Sequence, residues 1–182
     1  VGEFNVYNLL AVISSLVGSG LPIQKVIKQV SHISQVPGRM ERLGTKLTPQ
    51  VFIDYAHTPD AIENVISTIN KIKSPSQNLI TVIGCGGDRD KDKRSIMGKI
   101  CSDLSSRVIF TSDNPRSEDP KVIIEEICKG VSPSKQKKVT IIQDRGEAIK
   151  VACETANSGD IILIAGKGHE KYQIIGSEKL HF

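Results

Sequence analysis

The sequence predicts an α/β domain in which a mostly parallel sheet is flanked by helices. Short apolar runs rich in Ile and Val recur along the chain, and helix-like stretches separate them. Five of these runs end in a cluster of charged or glycine residues. Because the carboxyl ends of parallel strands open onto one edge of a sheet, where ligands bind, we expect the clusters to converge on one polar crevice.

The start of the chain is predicted to form two helices that belong to an upstream domain. Residues 5–17 carry apolar side chains at helical spacing, and a second helix is predicted from Ile23 to Ser31. Val36-Pro37-Gly38-Arg39 then breaks the helical pattern. We therefore interpret residues 1–36 as the tail of one domain and residues 37–182 as a separate α/β domain. The missing initiator methionine adds the expectation that the chain is part of a longer protein.

From residue 51 onward, strands and helices are predicted to alternate. The strands are placed at 51–54, 79–83, 107–111, 138–142 and 160–164, and the helices at 59–72, 93–104, 120–129 and 145–156, with a short strand and turn at 172–178. Pro59 and Pro120 suit the first position of their helices, because a proline there loses no hydrogen bond. Thr58 and Asp119, which precede them, are the predicted N-caps.

Composition excludes several functional classes. The apolar stretch from Leu9 to Val17 is too short to span a bilayer and follows no basic segment, so a cytoplasmic protein is expected. Aromatic residues make up 4% of the chain, which argues against a surface that stacks nucleic-acid bases. The lysine-rich residues 135–138 are interpreted as a solvated loop. The 4 cysteines lack metal-binding spacing, so free thiols in a reducing compartment are expected.

The cluster from Gly84 to Arg89, Gly-Cys-Gly-Gly-Asp-Arg, follows a predicted strand. It lacks the third glycine of a dinucleotide-binding GxGxxG motif, so no NAD site is expected. Backbone N–H groups and the Arg89 guanidinium suit a carboxylate or a phosphate. A tight strand–helix turn with a surface arginine fits the same spacing equally well.

Asp113-Asn114-Pro115-Arg116 suggests recognition of an amino acid. Pro115 restricts the backbone, so the side chains on either side of it project in a set geometry. Arg116 can hold a carboxylate in bidentate fashion, while Asp113 or Asn114 can hold an ammonium group. The alternative is an Asn-Pro turn with a solvated arginine.

Gly166-Lys167-Gly168-His169-Glu170 lacks the spacing of a P-loop, which occurs nowhere in the sequence. Glu170 is a candidate for holding a second ammonium group, and the glycines would let a ligand approach the backbone. His169 and His57 are each a candidate base or a structural histidine, and Asp54 with His57 is a candidate for facing a nucleotide. The sequence contains no persuasive nucleophile–base set or metal cluster. The residues alone therefore indicate a ligand with several charges, without indicating a reaction.

Six motifs, taken in order, resemble those of the Mur ligases. They are Phe4-Asn5-x-x-Asn8-Leu9-Leu10-Ala11, Val36-Pro37-Gly38-Arg39-Met40-Glu41, Asp54-Tyr55-Ala56-His57-Thr58-Pro59-Asp60, Gly84 to Arg94, Asp113 to Pro120 and Ala165 to Glu170. The resemblance covers nearly the whole chain in unbroken order. Its Asp-Asn-Pro-Arg motif is similar to that of the members that add meso-diaminopimelate during peptidoglycan synthesis.

The resemblance implies a domain organisation. Mur ligases have a UDP-substrate domain, a central ATPase domain and a Rossmann-like C-terminal domain that brings in the amino acid. Residues 1–36 would be the last helices of the central domain, and residues 37–182 most of the C-terminal domain, with its end truncated. The P-loop and the carbamylated lysine that helps to hold Mg²⁺ have no counterpart in this sequence. The chain alone is therefore expected to be inactive.

The resemblance also implies a reaction and site residues. ATP would phosphorylate the D-Glu γ-carboxylate of UDP-MurNAc-L-Ala-D-Glu, and the amine of meso-diaminopimelate would attack the resulting acyl phosphate. Positioning and electrostatic stabilisation would carry most of the catalysis. The residues implied for meso-diaminopimelate are Arg89, Asp113, Asn114, Pro115, Arg116, Gly166 and Glu170, with Arg116 on the distal carboxylate that lysine lacks. The residues implied near the nucleotide are Asn8, Arg39, Asp54 and His57, with Asn8 facing adenine.

Two alternatives remain open at this point. One is a related amide ligase of the lysine-adding or folylpolyglutamate type, against which the Asp-Asn-Pro-Arg motif argues. The other is a stand-alone amino-acid-binding module without a catalytic partner, which the missing P-loop favours.

Overall fold

The structure, a computed structural model, describes residues 3–44 and 48–181. It divides into two compact units, Val1–Val36 and Pro37–Phe182. The first contains helices α1 (Glu3–Gly18) and α2 (Ile23–Val30). Among its described side chains only Val26 is buried, so most of its apolar surface is open. Both helices were predicted, whereas their origin in an ATPase domain stays a prediction.

The second unit is built on a six-stranded sheet with the order β1-β2-β6-β3-β4-β5. Its strands are β1 (Glu41–Leu43), β2 (Gln50–Asp54), β3 (Leu79–Ile83), β4 (Arg107–Phe110), β5 (Val139–Ile141) and β6 (Ile161–Ala165). All neighbouring strands pair in parallel except β1, which runs antiparallel to β2. The predicted mostly parallel sheet is confirmed.

Helices flank this sheet, as predicted. They are α3 (Pro59–Ile72), α4 (Asp92–Leu104), α5 (Pro120–Cys128) and α6 (Arg145–Thr155). Ala148 and Ala152 of α6 pack on Ile80, Val82 and other side chains from the centre of the sheet. Strand β3 is buried along its whole length, which is expected for a parallel strand covered on both faces.

The predicted helix caps are present. Thr58 accepts a hydrogen bond from the Ala61 N–H at 3.4 Å, and Asp119 accepts one from the Lys121 N–H at 2.8 Å. These contacts satisfy N–H groups that a helix leaves unpaired at its start.

Three local features differ from the sequence prediction. Residues Pro133–Lys138 form a short 3₁₀ helix in place of the expected loop. A hairpin of β7 (Tyr172–Ile175) and β8 (Glu178–His181) extends the single strand that was expected near the end. Strand β1 was not predicted, because Glu41-Arg42-Leu43 has no apolar run and becomes a strand only by pairing with β2. No helix among the described residues has the length and apolar character needed to cross a membrane.

Candidate functional site

A cavity of about 330 Å³ opens at the carboxyl edge of the sheet. Four of the five clusters contribute to its lining, which consists of Tyr55, His57, Thr58, Gly84, Cys85, Gly86, Arg89, Lys93, Asp113, Asn114, Arg116, Gly166 and Glu170. These residues follow β2, β3, β4 and β6, which are neighbours in the sheet. Parallel strand order therefore brings together residues that are more than a hundred positions apart in the sequence.

The fifth cluster, Asp144-Arg145, lies outside the lining. Asp144 caps α6 by accepting from the Glu147 N–H at 2.7 Å. Arg145 is 1% exposed and donates to the backbone oxygen of Ala165 at 2.8 Å. Burial lowers the pKa of Arg145. This cluster supports the ends of the strands from inside the protein.

The glycine-rich loop after β3 lies directly against the Asp-Asn-Pro-Arg segment. The Gly87 N–H donates to the Asn114 backbone oxygen at 2.9 Å. A Cβ atom on Gly87 would lie 1.9 Å from the Pro115 oxygen, so no larger residue fits without moving the backbone. Glycine is thus needed here for a backbone contact within the protein.

Arg116 is held at both its backbone and its side chain. It has a φ of 52°, and its N–H donates to the Ile174 oxygen at 3.0 Å while its own oxygen accepts from Gly176 at 2.8 Å. Its Nη1 donates to the Gly87 oxygen at 2.8 Å. The hairpin and the glycine-rich loop therefore hold the Arg116 guanidinium at the cavity.

The hydrogen bonds of Asn114 determine the orientation of its amide. Its Oδ1 accepts from Lys167 Nζ and from the Ile174 N–H, both at 2.9 Å. Its Nδ2 donates to Glu170 Oε2 at 3.3 Å. Since the oxygen already accepts two hydrogen bonds, Asn114 is a poor candidate for holding an ammonium group, and Asp113 is the better of the two open choices.

The carboxylates of the cavity are Asp113 and Glu170. Asp113 is 8% exposed, and its backbone oxygen accepts from Gln173 Nε2 at 2.7 Å. Gly166, with a φ of 106°, lies so close that a Cβ atom there would be 3.0 Å from Asp113 Oδ2. A ligand ammonium that entered here would meet two carboxylates beside an open stretch of backbone.

Arg89 is an exposed residue at the rim of the cavity. Its Nη1 donates to the backbone oxygen of Asp88 at 2.9 Å. Asp88 in turn accepts from the hydroxyl of Ser117 at 2.6 Å, which joins the glycine-rich loop to the segment after Arg116. Arg89 and Arg116 give the cavity two guanidinium groups.

Among the residues predicted near a nucleotide, Arg39 contacts an aromatic ring, whereas Asp54 is buried and bonded to the backbone. Arg39 lies over the ring of Tyr55 at 4.9 Å, and Tyr55 also stacks on His169. Asp54 is 5% exposed and accepts from the N–H groups of Met40 and Ala56, both at 2.8 Å, so it stabilises the backbone at the end of β2.

His57 is an exposed histidine of fixed tautomer. Its Nδ1 lies 2.8 Å from the Tyr55 oxygen, and because a carbonyl only accepts, Nδ1 carries the hydrogen. In the neutral ring, Nε2 is then left as an acceptor. Asn8 lies on α1 in the other unit, and its contact with adenine stays a prediction.

Cys85 lines the cavity, but its environment suppresses thiol chemistry. Burial raises the pKa of Cys85 to about 12, so its thiol is protonated at neutral pH. Among the described residues there is also no group of three or more His, Cys, Asp or Glu side chains that would hold a metal ion. The described cavity offers charge and hydrogen bonds for binding, with no activated thiol.

Sequence reasoning missed two buried cations beside the cavity. Lys167 is 3% exposed and Arg94 is 0% exposed. Both occur in the quoted motifs, but lysine and arginine are rarely buried and nothing local marks them as such. Each has an acceptor in a distant segment that only the fold brings close, Asn114 for Lys167 and Glu118 for Arg94.

Comparison with known proteins identifies the family. Residues 38–168 match the family described as "Mur ligase, glutamate ligase domain". A UDP-N-acetylmuramoyl-L-alanyl-D-glutamate–2,6-diaminopimelate ligase from Cytophaga hutchinsonii is 49% identical over 182 residues, which are 100% of this chain and 37% of the relative. The ligase of the same name from Fusobacterium nucleatum is 48% identical over 182 residues, again 100% of this chain and 37% of the relative.

Solved structures agree with this relationship. A structure of a UDP-N-acetylmuramoyl-L-alanyl-D-glutamate–2,6-diaminopimelate ligase superposes with a TM-score of 0.75 at 40% identity, covering 100% of this chain and 37% of that one. A folylpolyglutamate synthase from Thermotoga maritima gives a TM-score of 0.65 at 25% identity, covering 91% and 36%. The chain thus spans little more than a third of these relatives. The matched domain, the identity over the full chain and the shared fold lead to one conclusion: the chain belongs to the Mur ligase family.

Proposed function

We propose that this chain supplies the amino-acid-binding site of an ATP-dependent ligase that adds meso-diaminopimelate to the D-Glu of UDP-MurNAc-L-Ala-D-Glu. The observation that carries the proposal is that one cavity combines two guanidinium groups, Arg89 and Arg116, with two carboxylates, Asp113 and Glu170. meso-Diaminopimelate carries two carboxylates and two ammonium groups. The identity with ligases named for this amino acid supports the same assignment.

The proposed binding mode pairs opposite charges. Arg116, a half-buried residue, takes the distal carboxylate, and a guanidinium can hold a carboxylate through two parallel hydrogen bonds. Asp113 and Glu170 take an ammonium group, while Gly166 lets the ligand approach the backbone. Lysine lacks the distal carboxylate and would leave Arg116 without a partner, which is the basis of the proposed selectivity.

In this proposal the chain contributes positioning. The incoming amine attacks the activated γ-carboxyl of D-Glu, and the charged cavity holds the amino acid so that its amine faces that carbon. ATP, when bound, supplies the phosphoryl group that activates the carboxyl.

Arg39, His57 and Asn8 remain the candidates for contacts to the nucleotide, and the stacked Arg39–Tyr55 pair supports a role for that surface. Mg²⁺ and the other domains of the enzyme belong to the proposal without an assigned residue here, and the nucleotide substrates imply the cytoplasm.

An amide NMR titration of the 182-residue chain with meso-diaminopimelate, and separately with L-lysine, tests the binding site. We expect shifts at Arg89, at residues 114–116 and at residues 166–170, with meso-diaminopimelate bound more tightly. An equal or stronger response to lysine would contradict the selectivity. A chain that responds to neither would contradict binding by this chain on its own.

A chimaera tests the reaction. The matching segment of the Cytophaga hutchinsonii relative is replaced by this chain, and ligation of meso-diaminopimelate is measured with ATP and the UDP-linked dipeptide. We expect activity that depends on Arg116, with the unmodified relative as the positive control. Selective binding by the chain together with an inactive but folded chimaera would favour the stand-alone binding module instead.

A further inference from the structure

Lys167 is a buried lysine at the end of β6 for which the binding mode described above has no role. It is 3% exposed and is not part of the cavity lining, although Gly166 and Glu170 on either side of it are. A lysine is rarely buried unless its charge is compensated. Its partners therefore show what this charge stabilises.

The Lys167 ammonium joins the loop that carries it to the segment after β4. Its Nζ donates to Asn114 Oδ1 at 2.9 Å, to the Tyr172 backbone oxygen at 2.6 Å and to Glu170 Oε2 at 3.3 Å. Asp113 Oδ1 lies 3.8 Å from the same atom. An ammonium group has three N–H donors, and these acceptors use all three. Two of the accepting side chains, Asn114 and Glu170, line the cavity.

This arrangement has two consequences for the cavity. The hydrogen bond to Oδ1 turns the Asn114 amide so that Nδ2 faces Glu170. The positive charge also lies beside both Asp113 and Glu170, so that Lys167, together with the buried Arg145, compensates these two neighbouring carboxylates. Lys167 thereby controls both the orientation and the charge of groups that we assign to the amino acid.

We propose that Lys167 is a positioning residue of the amino-acid site, which holds Asn114 and Glu170 in the geometry that receives the ligand without touching it. This inference rests on the proposed function. It makes a counter-intuitive prediction, because the removal of a cation from a site for an ammonium group should strengthen binding if charge alone mattered. If Lys167 positions its neighbours, removal weakens binding instead.

The first test uses Lys167→Met in the 182-residue chain, with Lys171→Met as the matched control on an exposed lysine of the same loop. We expect the Kd for meso-diaminopimelate to rise about 30-fold in Lys167→Met, as for the loss of a hydrogen bond to a charged group, and to change less than about twofold in the control. Unchanged or tighter binding by a folded Lys167→Met chain would overturn the proposal.

A second measurement needs no ligand. The side-chain amide resonances of Asn114 are compared in the free wild-type and Lys167→Met chains, and we expect them to move, because Oδ1 loses a charged donor. Unmoved resonances would overturn the proposal even if the wild-type chain bound no amino acid. Moved resonances with no binding by the wild-type chain would instead count against the proposed function while leaving the positioning contact intact.

A double variant separates positioning from a loss of fold. Lys167→Met combined with Glu170→Gln removes both members of the Lys167–Glu170 ion pair and leaves one carboxylate, Asp113, without its lysine instead of two, so it should fold more readily than the single lysine variant. If Lys167 acts through Glu170, the double variant should bind within about threefold of Glu170→Gln alone, because residues of one network are not additive. Additive losses would show that Lys167 does not act through Glu170 and would overturn that half of the proposal, which leaves the contact with Asn114 to be judged by its amide resonances.

Discussion

Two clusters of a buried cation with carboxylates lie near the same crevice, and they differ in what their carboxylates do. In the Arg94 cluster, Arg94 binds both oxygens of Glu118, at 2.8 and 2.9 Å, and Glu126 at 2.5 Å. In the Lys167 cluster, Lys167 binds Asn114 and Glu170 and lies beside Asp113. The side-chain partners of Lys167 line the cavity, whereas the carboxylate partners of Arg94, Glu118 and Glu126, do not.

The difference indicates how to distinguish a structural ion pair from a preorganised binding site. Arg94 also donates to the Gly86 oxygen at 3.1 Å, and Lys91 adds a second cation to Glu118 at 3.2 Å, so this cluster ties the glycine-rich loop to the segment after Arg116. The carboxylates of this cluster, Glu118 and Glu126, are already paired with cations of the protein. The carboxylates of the Lys167 cluster keep a side towards the cavity and remain available to a ligand. We therefore expect the first cluster to control stability and the second to control affinity.

The largest change in the free energy of unfolding is expected when the Arg94 cluster is broken. Arg94→Met leaves two carboxylates without their buried partner and should lower the free energy of unfolding by about 3–5 kcal/mol. Urea unfolding of the chain measures this, with Lys150→Met as a control that breaks an exposed ion pair to Glu147. A loss below about 1 kcal/mol, the usual size for a surface pair, would show that the cluster is not structural.

Substitution of Arg116 provides the complementary test, which measures the affinity of the cavity for amino acids. Arg116→Ala should weaken the binding of meso-diaminopimelate by about 2–5 kcal/mol, because a partly desolvated charge pair is lost, and should change lysine binding far less. Calorimetric titration with both amino acids measures the two losses. Arg107→Ala, which removes a half-buried arginine that is bonded to Thr155 and lies outside the cavity lining, is the control. Equal losses for both ligands would contradict the role of Arg116 in selectivity.

A pH series separates charge from packing in the Arg94 cluster. Hydrogen bonds from Arg94 lower the pKa of Glu118 from 4.5 to about 2. The ionised carboxylate therefore stabilises the fold fully above pH 4.5, and this contribution is lost as the pH falls towards 2. The stability difference between wild type and Glu118→Gln should shrink over this window, as measured by urea midpoints. Glu125→Gln, on an exposed neighbour, should show no such trend, and a constant difference for Glu118→Gln would contradict the electrostatic explanation.

The smallest effect on stability is expected at a partly exposed cluster, which serves as a baseline for the comparison. Asp103 pairs with Lys135 and with Lys99, and these hydrogen bonds lower its pKa. Asp103→Asn should cost no more than about 1 kcal/mol at low salt, because exposed pairs are well solvated. The cost should disappear in 1 M NaCl, where the screening length is about 3 Å. A cost that persists in salt would mean that burial is not what distinguishes the three clusters.

The sequence by itself determined the parts of the fold that depend on neighbouring residues. Apolar runs and helical spacing identified the central strands and the helices, and Thr58 and Asp119 identified two helix starts, because a cap acts within three residues of itself. The rule that parallel strands present their ends on one edge was enough to bring Asp113 and Glu170 into the same crevice. Strands β1 and β8 escaped detection, since each is defined by its pairing partner rather than by its own pattern.

Only the tertiary structure decided which charges are buried and which remain open to a ligand. From its sequence neighbours, two glycines, Lys167 would be expected to be an ordinary surface lysine. It is buried because Asn114, 53 residues away, supplies an acceptor. Arg94 likewise meets Glu118 across 24 residues. A buried charge is tolerated only when its partners are in place, and those partners come from segments that the chain brings together on folding. The sequence could indicate a charged site. Only the fold distinguished Lys167, whose side-chain partners line the cavity, from Arg94, whose carboxylate partners do not.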